Sequence, residues 1–172
     1  MRAYACLCVC THALDVCMYM HMRGATHTTE SVAHCGVAGI KDHVSLCDFT
    51  KEPFYVFERC NLVALPSTGK EGLPNVLLEA LAMEKPCVAT AKYGMPEVVG
   101  TFPEGTTGFT FPSGDVDALA EAILKIGGVA PDEQAKMAKA GKDMVFAEHD
   151  KVKQFEKILE IIKAKARAAK AA

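Results

Sequence analysis

Short apolar runs alternate with stretches of helical periodicity from about residue 28 onwards. Leu62–Leu65 and Pro86–Ala89 are continuous apolar runs, which is typical of parallel strands covered on both faces. Further along, apolar positions recur at helical spacing, namely Val116, Leu119, Ala120, Ile123 and Leu124. The predicted elements are a helix from Thr28 or Thr29 to Cys35, strand Val44–Phe49, helix Glu52–Cys60, strand Asn61–Leu65, helix Asn75–Met83, strand Pro86–Ala89, strand Phe109–Phe111, a helix from Asp115 or Asp117 to Ile126, and helices Asp132–Glu148 and Lys151–Ala169. This alternation predicts an α/β fold with a Rossmann-like parallel sheet and flanking helices.

The junction between the strand ending at Leu65 and the next helix is the most informative stretch of the chain. A helix start leaves several backbone N–H groups without partners at the positive end of the helix dipole, and a phosphate or sugar oxygen suits them. Pro74 fits a first helical position, where a missing N–H costs nothing. Gly72 allows a tight turn and a close approach to a ligand.

Two glutamates flank this junction. Glu71 lies in the predicted turn and Glu79 inside the predicted helix, so both can reach the mouth of one cleft. Carboxylates accept paired hydrogen bonds from vicinal hydroxyls, which a sugar or a ribose offers. The pair therefore indicates recognition of a sugar-containing ligand.

Four motifs in order resemble the donor-binding domain of retaining glycosyltransferases with two Rossmann-like domains (the GT-B type, glycosyl transferases group 1, or family 4). Pro66–Ser67 precedes a Glu-x7-Glu pattern, and Lys85–Thr90 is similar to the strand that follows. Gly94–Val99 resembles the Gly-x-Pro-Glu loop of the family, and 105–120 resembles its closing segment. At two places this chain departs from the family pattern: Glu84 and Tyr93 stand where glycine is common.

The resemblance implies roles for the residues of the junction. Glu71, the candidate catalytic residue, would contact hydroxyls of the transferred sugar, and Glu79 would bind the ribose hydroxyls. The main chain of four further residues would hold the sugar and diphosphate: Gly72, Leu73, Asn75 and Val76. The donor would be a UDP- or GDP-hexose. Because nothing resembles an Asp-x-Asp metal motif, no metal and no other cofactor are expected.

The same resemblance implies that parts of the enzyme are missing. The acceptor-binding domain, the first two strands of the donor domain and the Arg and Lys on the diphosphate have no counterpart here. In a sheet ordered 3-2-1-4-5-6 those strands are central, and unpaired central edges favour self-association. We therefore predict a C-terminal GT-B fragment with little transfer activity alone. A non-catalytic nucleotide-binding module or partner subunit, and an incomplete gene product without independent function, stay open as alternatives.

Composition excludes some classes of partner. The 172 residues carry a formal charge of −2 and are 50% apolar, so no overall field favours nucleic acid. No apolar run reaches the roughly 18–20 residues of a membrane-spanning helix. Cys47, Cys60 and Cys87 fall on predicted strands or helices as small hydrophobic residues, which suits a reducing compartment. We expect a cytoplasmic protein, or one at the cytosolic face of a membrane.

Residues 1–27 differ from the rest, and we divide the chain into this atypical leader and a partial donor-binding domain over 28–172. The leader is expected to be poorly ordered, because Val16–Arg23 fits a translated purine–pyrimidine repeat at every codon. A metal site at Cys6, Cys8 and Cys10 has unsuitable spacing, and a secretory signal is interrupted by Asp15. Alternatively, Ala3–Cys10 is apolar enough to replace a missing strand.

The last segment has an apolar stripe on a basic background. Over residues 151–172, seven Lys or Arg against two Glu leave a local charge of +5. The stripe consists of Val152, Phe155, Ile158, Leu159 and Ile162. Packing on the core with a solvated basic face is one interpretation, and weak contact with an anionic membrane surface is the other.

Overall fold

The computed structural model describes residues 4–10, 15–21, 39, 41–47, 54–99 and 105–171. The strands are β1 (Tyr4–Cys10), β2 (Asp15–His21), β3 (Val44–Cys47), β4 (Leu62–Leu65), β5 (Cys87–Thr90) and β6 (Gly108–Phe111). The helices are α1 (Phe54–Glu58), α2 (Asn75–Ala82), α3 (Met95–Val99), α4 (Val116–Gly128), α5 (Pro131–Glu148) and α6 (Lys151–Ala171), and a short 3-10 turn covers Lys41–His43. The expected α/β class is confirmed; the predicted helix ending at Cys35 lies outside the described residues.

The strands form one sheet in the order β3-β1-β2-β4-β5-β6. Strands β2, β4, β5 and β6 run parallel to one another, with Val63 of β4 opposite Cys87 of β5 and Cys87 opposite Gly108 of β6. Strand β1 is antiparallel to both of its neighbours, β2 and β3. Strands β4, β5 and β6 are therefore parallel, as predicted; β2, which was not predicted, extends this parallel part, and the other edge of the sheet is mixed.

Two stretches of the leader are described, and both are strands; the disorder expected of the leader stays a prediction. Strand β1 pairs with β3 over Cys6–Val9, and β2 pairs with β4 over Val16–Met18. These strands occupy the place where the family's central strands were expected to be missing, so β3 and β4 each have a neighbour. A low-complexity composition does not prevent such pairing, because any non-proline backbone can form the hydrogen bonds of a sheet. The division of the chain at residue 27 stays a prediction.

Helices cover both faces of the sheet. Successive residues of β4 alternate between the two cores: Val63 and Leu65 belong to one, and Leu62 and Ala64 belong to the other. The first core is closed by α1, α2, α3 and the Met144 turn of α5, and the second by α4 and Met137 of α5. This layering leaves the carboxyl ends of the parallel strands as the edge from which the loops of the site emerge.

Some predicted core positions are wrong because the hydrophobic stripes are rotated from the expected phase. Val116 and Leu124 are 74% and 71% exposed, whereas Ala122 and Ile126 are buried in α4. Apolar residues fill more than half of the circumference of α4, so spacing alone did not select the buried face.

Helix α6 presents its apolar stripe to the solvent. Four of the five predicted stripe residues, Val152, Phe155, Ile158 and Ile162, are more than half exposed, and Leu159 is half-buried. Contacts near its start tie α6 to the end of α5, where Lys153 donates to the Phe146 carbonyl at 3.0 Å. The predicted stripe is thus present but does not pack on the core, and within the described ranges no helix is both long and apolar enough to cross a bilayer.

Candidate functional site

The candidate site is built on the carboxyl ends of β4 and β5. The 66–74 loop follows β4, and the 91–94 turn follows β5. The two strand ends are joined by a side chain, because the buried Thr90 hydroxyl donates to the Leu65 carbonyl at 3.4 Å. Ligands of open parallel sheets bind outside the carboxyl ends of the strands, so this edge is where a binding site is expected.

The start of α2 leaves backbone donors available. Pro74 is the N-cap residue, and no side chain caps the helix. The Leu77 N–H donates to the Pro74 carbonyl at 3.1 Å. In the part of the chain that the structure describes, the N–H groups of Asn75 and Val76 have no acceptor within hydrogen-bonding distance. With the helix dipole behind them, these two amides favour an anion.

Glu71 is held at both its side chain and its main chain. The Ser67 hydroxyl donates to Glu71 Oε1 at 3.3 Å, and the Gly94 N–H donates to the Glu71 carbonyl at 3.4 Å. The residue is half-buried in the loop before α2. A half-buried carboxylate with one fixed oxygen keeps further acceptor positions for ligand hydroxyls.

Glu79 lies in the second turn of α2 and is also half-buried. Burial raises the pKa of the Glu79 carboxyl above its usual value, because desolvation disfavours the charged form. Such a carboxylate gains from any ligand that supplies hydrogen-bond donors. The structure thus places both glutamates on the same loop–helix junction.

The four main-chain candidates differ in accessibility. Gly72, Leu73 and Asn75 are exposed, with Leu73 at 42%. Val76 is partly buried, and its side chain packs against the core that α2 covers, so only its backbone is a candidate for binding. The binding and catalytic roles of all six predicted residues stay predictions. Lys70, in the same loop, is exposed.

The 91–94 turn is the part of the site to which the sequence assigned no role. Gly94 packs against the backbone of Gly72: a Cβ at Gly94 would lie 1.6 Å from the Gly72 carbonyl oxygen. Tyr93 and Glu84 have left-handed backbones with φ of 55° and 59°. These are the two positions at which the sequence departs from the glycines of the family, so the requirement for that conformation persists without the residue that best accommodates it. The departure from glycine at these two positions was the feature of the sequence that could have pointed to this turn.

Metal binding has no support in the described ranges. Among the residues whose side chains the structure describes, which are 42–44, 54–99 and 105–169, no three His, Cys, Asp or Glu side chains gather as a metal ion would require. The independence of the site from metal ions stays a prediction.

Comparison with known proteins gives consistent results. The model of the family "Glycosyl transferases group 1" matches residues 13–127, more than half of the chain. The capsular polysaccharide biosynthesis glycosyltransferase CapM of Staphylococcus aureus is 34% identical over 84 residues, which are 49% of this chain and 21% of CapM. The putative colanic acid biosynthesis glycosyltransferase WcaL of Escherichia coli is 35% identical over 80 residues, 46% of this chain and 18% of WcaL.

Solved structures show the same fold. Anabaena HepE in complex with UDP superposes with a TM-score of 0.73 at 24% identity, covering 81% of this chain and 37% of HepE. The C-terminal domain of the group 1 protein LpcC of Francisella tularensis gives a TM-score of 0.61 at 18% identity, covering 74% of this chain and 64% of that domain. The chain thus spans about a fifth of the length of the relatives that it matches in sequence. The family match begins at residue 13, upstream of the boundary predicted at residue 28.

Proposed function

The chain belongs to the glycosyl transferases group 1 family, and we propose that it binds a nucleotide-sugar as the donor-binding part of a retaining GT-B glycosyltransferase. The donor class is a UDP- or GDP-hexose. An acceptor-binding domain, on this or another polypeptide, would complete the enzyme. Support comes from HepE, whose structures include complexes with UDP and with UDP-glucose.

One observation carries the proposal: the uncapped start of α2 follows a loop with a half-buried glutamate, Glu71, and leads into a helix turn with another, Glu79. The amides of Asn75 and Val76 supply anion-binding donors, while Glu71 and Glu79 supply acceptors for hydroxyls. A nucleotide-sugar is a ligand that needs both, because its diphosphate accepts hydrogen bonds and its ribose and hexose donate them. A plain phosphate would leave both carboxylates unused.

In the proposed reaction, the bond between the anomeric carbon and the diphosphate oxygen breaks, and a bond from the same carbon to the acceptor oxygen forms on the same face. The proton of the acceptor hydroxyl passes to the leaving diphosphate. Negative charge therefore grows on the diphosphate, where the α2 amides would stabilise it. Glu71 would hold the hexose hydroxyls so that the anomeric carbon is presented correctly.

A second candidate is a nucleotide-binding module without transfer activity. In the proposed reaction an acceptor-binding part supplies the acceptor hydroxyl, so a protein that binds only the donor would catalyse no transfer. A transfer assay with that part added in trans separates the two candidates. Hexose transfer only in the mixture supports the enzyme, and nucleotide binding without transfer in either condition supports the binding module.

Calorimetric titration of the full chain with UDP, GDP and UDP-glucose tests the proposal itself. We expect saturable binding of at least one nucleotide, with affinity unchanged in EDTA because no metal is proposed to take part. Binding that disappears in EDTA would contradict the metal-free site. Absence of binding for every nucleotide diphosphate would overturn the donor-binding function.

We also propose that the protein works in the cytoplasm or at the cytosolic face of a membrane. Support comes from Cys60 and Cys87, which are buried in the core with their thiols donating to the backbone carbonyls of Phe57 and Lys85 at 3.3 and 3.4 Å. Buried thiols of this kind suit a reducing compartment. Cell fractionation with an antibody to the chain tests this placement, and recovery from the culture medium would contradict it.

A further inference from the structure

The main chain of Gly94 is in close contact with the backbone of the loop that carries Glu71. A Cβ built at Gly94 would lie 1.6 Å from the Gly72 carbonyl oxygen, 2.7 Å from the Gly72 carbonyl carbon and 3.4 Å from the Leu73 nitrogen. All three are backbone atoms, so no side chain can rotate away to make room. Any residue other than glycine at position 94 must therefore displace the 71–73 backbone or the turn itself.

The same residue also bonds to this loop. The Gly94 N–H donates to the Glu71 carbonyl at 3.4 Å, and the Ser67 hydroxyl fixes the other end of Glu71 by donating to Oε1 at 3.3 Å. The backbone of Glu71 is therefore held by the 91–94 turn, and its carboxylate is held by Ser67 of its own 66–74 loop. A displacement of Gly94 moves the first anchor while leaving the second in place, so it would reorient the carboxylate.

The turn that presents Gly94 is itself firmly held. The Lys92 N–H donates to the Thr90 carbonyl at 2.8 Å, and the Met95 N–H donates to the Lys92 carbonyl at 3.3 Å. Thr90 is buried and bonded to β4. Because the turn is tied to the sheet on one side and to the start of α3 on the other, it offers a fixed reference position for the Glu71 loop.

We infer that Gly94 is a positioning residue: it fixes the position of the Glu71 and Gly72 backbone so that the Glu71 carboxylate can contact the hexose of the donor. The inference rests on the proposed function and deepens it, since it concerns the sugar half of the ligand. Glu79 and the α2 amides are held by the helix rather than by this turn. Displacement at Gly94 should therefore affect recognition of the hexose more than recognition of the nucleotide.

The experiment compares Gly94→Ala with Gly141→Ala in the full chain. Gly141 is a matched control for stability, because its Cβ would meet Leu81 Cδ2 at 2.6 Å where α5 packs on α2, away from the Glu71 loop. Titrations with UDP and UDP-glucose then give the ratio of the two affinities for each variant. Gly94→Ala is expected to weaken UDP-glucose at least tenfold and UDP less than threefold, whereas Gly141→Ala keeps the wild-type ratio. Equal loss of both ligands in Gly94→Ala would overturn the inference.

A measurement on the wild-type protein covers the case in which Gly94→Ala does not fold. Amide exchange at Gly94 should be slow in the free protein and should slow further with UDP-glucose but not with UDP. Exchange at the rate of an open loop would overturn the inference. If no nucleotide binds at all, the proposed function fails, while slow exchange at Gly94 in the free protein still verifies the contact.

Discussion

Replacement of Glu79 by glutamine is expected to weaken nucleotide binding while leaving the fold at least as stable. Burial raises the pKa of this carboxyl, so the native state binds its proton more readily than the unfolded state does. Protonated Glu79 therefore stabilises the fold at low pH, and this contribution to the free energy of unfolding is lost as the pH rises through the raised pKa of Glu79. Glutamine has no charge to desolvate, so at neutral pH the variant should gain up to about 0.5 kcal/mol in the free energy of unfolding.

The binding loss follows from the hydrogen bonds that the carboxylate would accept from ribose hydroxyls. A hydrogen bond to a charged group contributes about 1.5–3 kcal/mol, and Glu79 is only half-buried, so the lower figure applies. Glutamine keeps one acceptor oxygen and loses the charge. We expect a loss of about 1.5 kcal/mol, or roughly tenfold in Kd, for Glu79→Gln, and about a hundredfold for Glu79→Ala, which removes both acceptors.

The assay combines UDP titration with thermal unfolding at several pH values. Glu121→Gln is the matched control, because Glu121 is an exposed glutamate on α4, which covers the other face of the sheet. Wild-type affinity should fall as the pH is lowered through the raised pKa of Glu79, and the glutamine variant should lack this step. Unchanged UDP affinity in Glu79→Gln, or a loss as large in Glu121→Gln, would refute the role of Glu79.

Three further predictions concern other parts of the molecule. Glu84→Gly should add about 0.5 kcal/mol of stability, because glycine adopts the left-handed backbone without strain. The gain should be larger in a Lys142→Met background, where the exposed 2.7 Å ion pair of Glu84 with Lys142 is already absent and the substitution therefore removes nothing. Glu97→Gly is the control and should destabilise, because Glu97 lies in α3. Amide exchange should be slow at Val16–Met18, which pair with β4, and rapid exchange throughout residues 1–23 would favour a disordered leader. Because of the exposed stripe of α6, the protein should pellet with acidic liposomes more than with neutral ones, or should self-associate in sedimentation. The double variant Phe155→Glu and Ile162→Glu should lose whichever behaviour the wild-type protein shows. The same behaviour in both proteins would refute a role of the stripe in binding.

Local patterns predicted the part of the fold in which sequence and packing agree. The apolar runs at β4 and β5 were identified because both faces of these strands are covered, and Asp115 was among the expected N-caps, where its carboxylate accepts from the Ala118 N–H at 2.9 Å. Strand β2 and its pairing with β4 could not be predicted, since partner choice in a sheet depends on strands far apart in the chain. The exposure of Val116 was missed for a similar reason: α4 is apolar over a broad arc, and packing against the sheet and Met137 decides which side is buried.

In the candidate site, the sequence predicted the two binding side chains but not the main-chain contacts that hold them. The glutamate pair pointed to Glu71 and Glu79 because carboxylates accept paired hydrogen bonds from the vicinal hydroxyls of a sugar. The bond from Ser67 to Glu71 could not be predicted, since a serine in a loop has many partners within reach. Gly94 was noticed as part of a motif, but its contact with Gly72 joins two loops that only the completed sheet brings together.

The tolerance of this site to substitution follows from how it is held. Tyr93 and Glu84 replace the glycines of the family in left-handed positions, and each is accommodated because its side chain extends into solvent. Gly94 cannot be replaced in the same way, because the obstacle is the backbone of Gly72 and not the dihedral angle. A conformational cost of about 1–2 kcal/mol is small enough for a domain to absorb, whereas a 1.6 Å overlap of main-chain atoms must move one of the two loops. Relaxed constraint at positions 84 and 93 is therefore compatible with a retained binding site, and the sensitivity of the site should be concentrated at Glu71, Glu79 and Gly94.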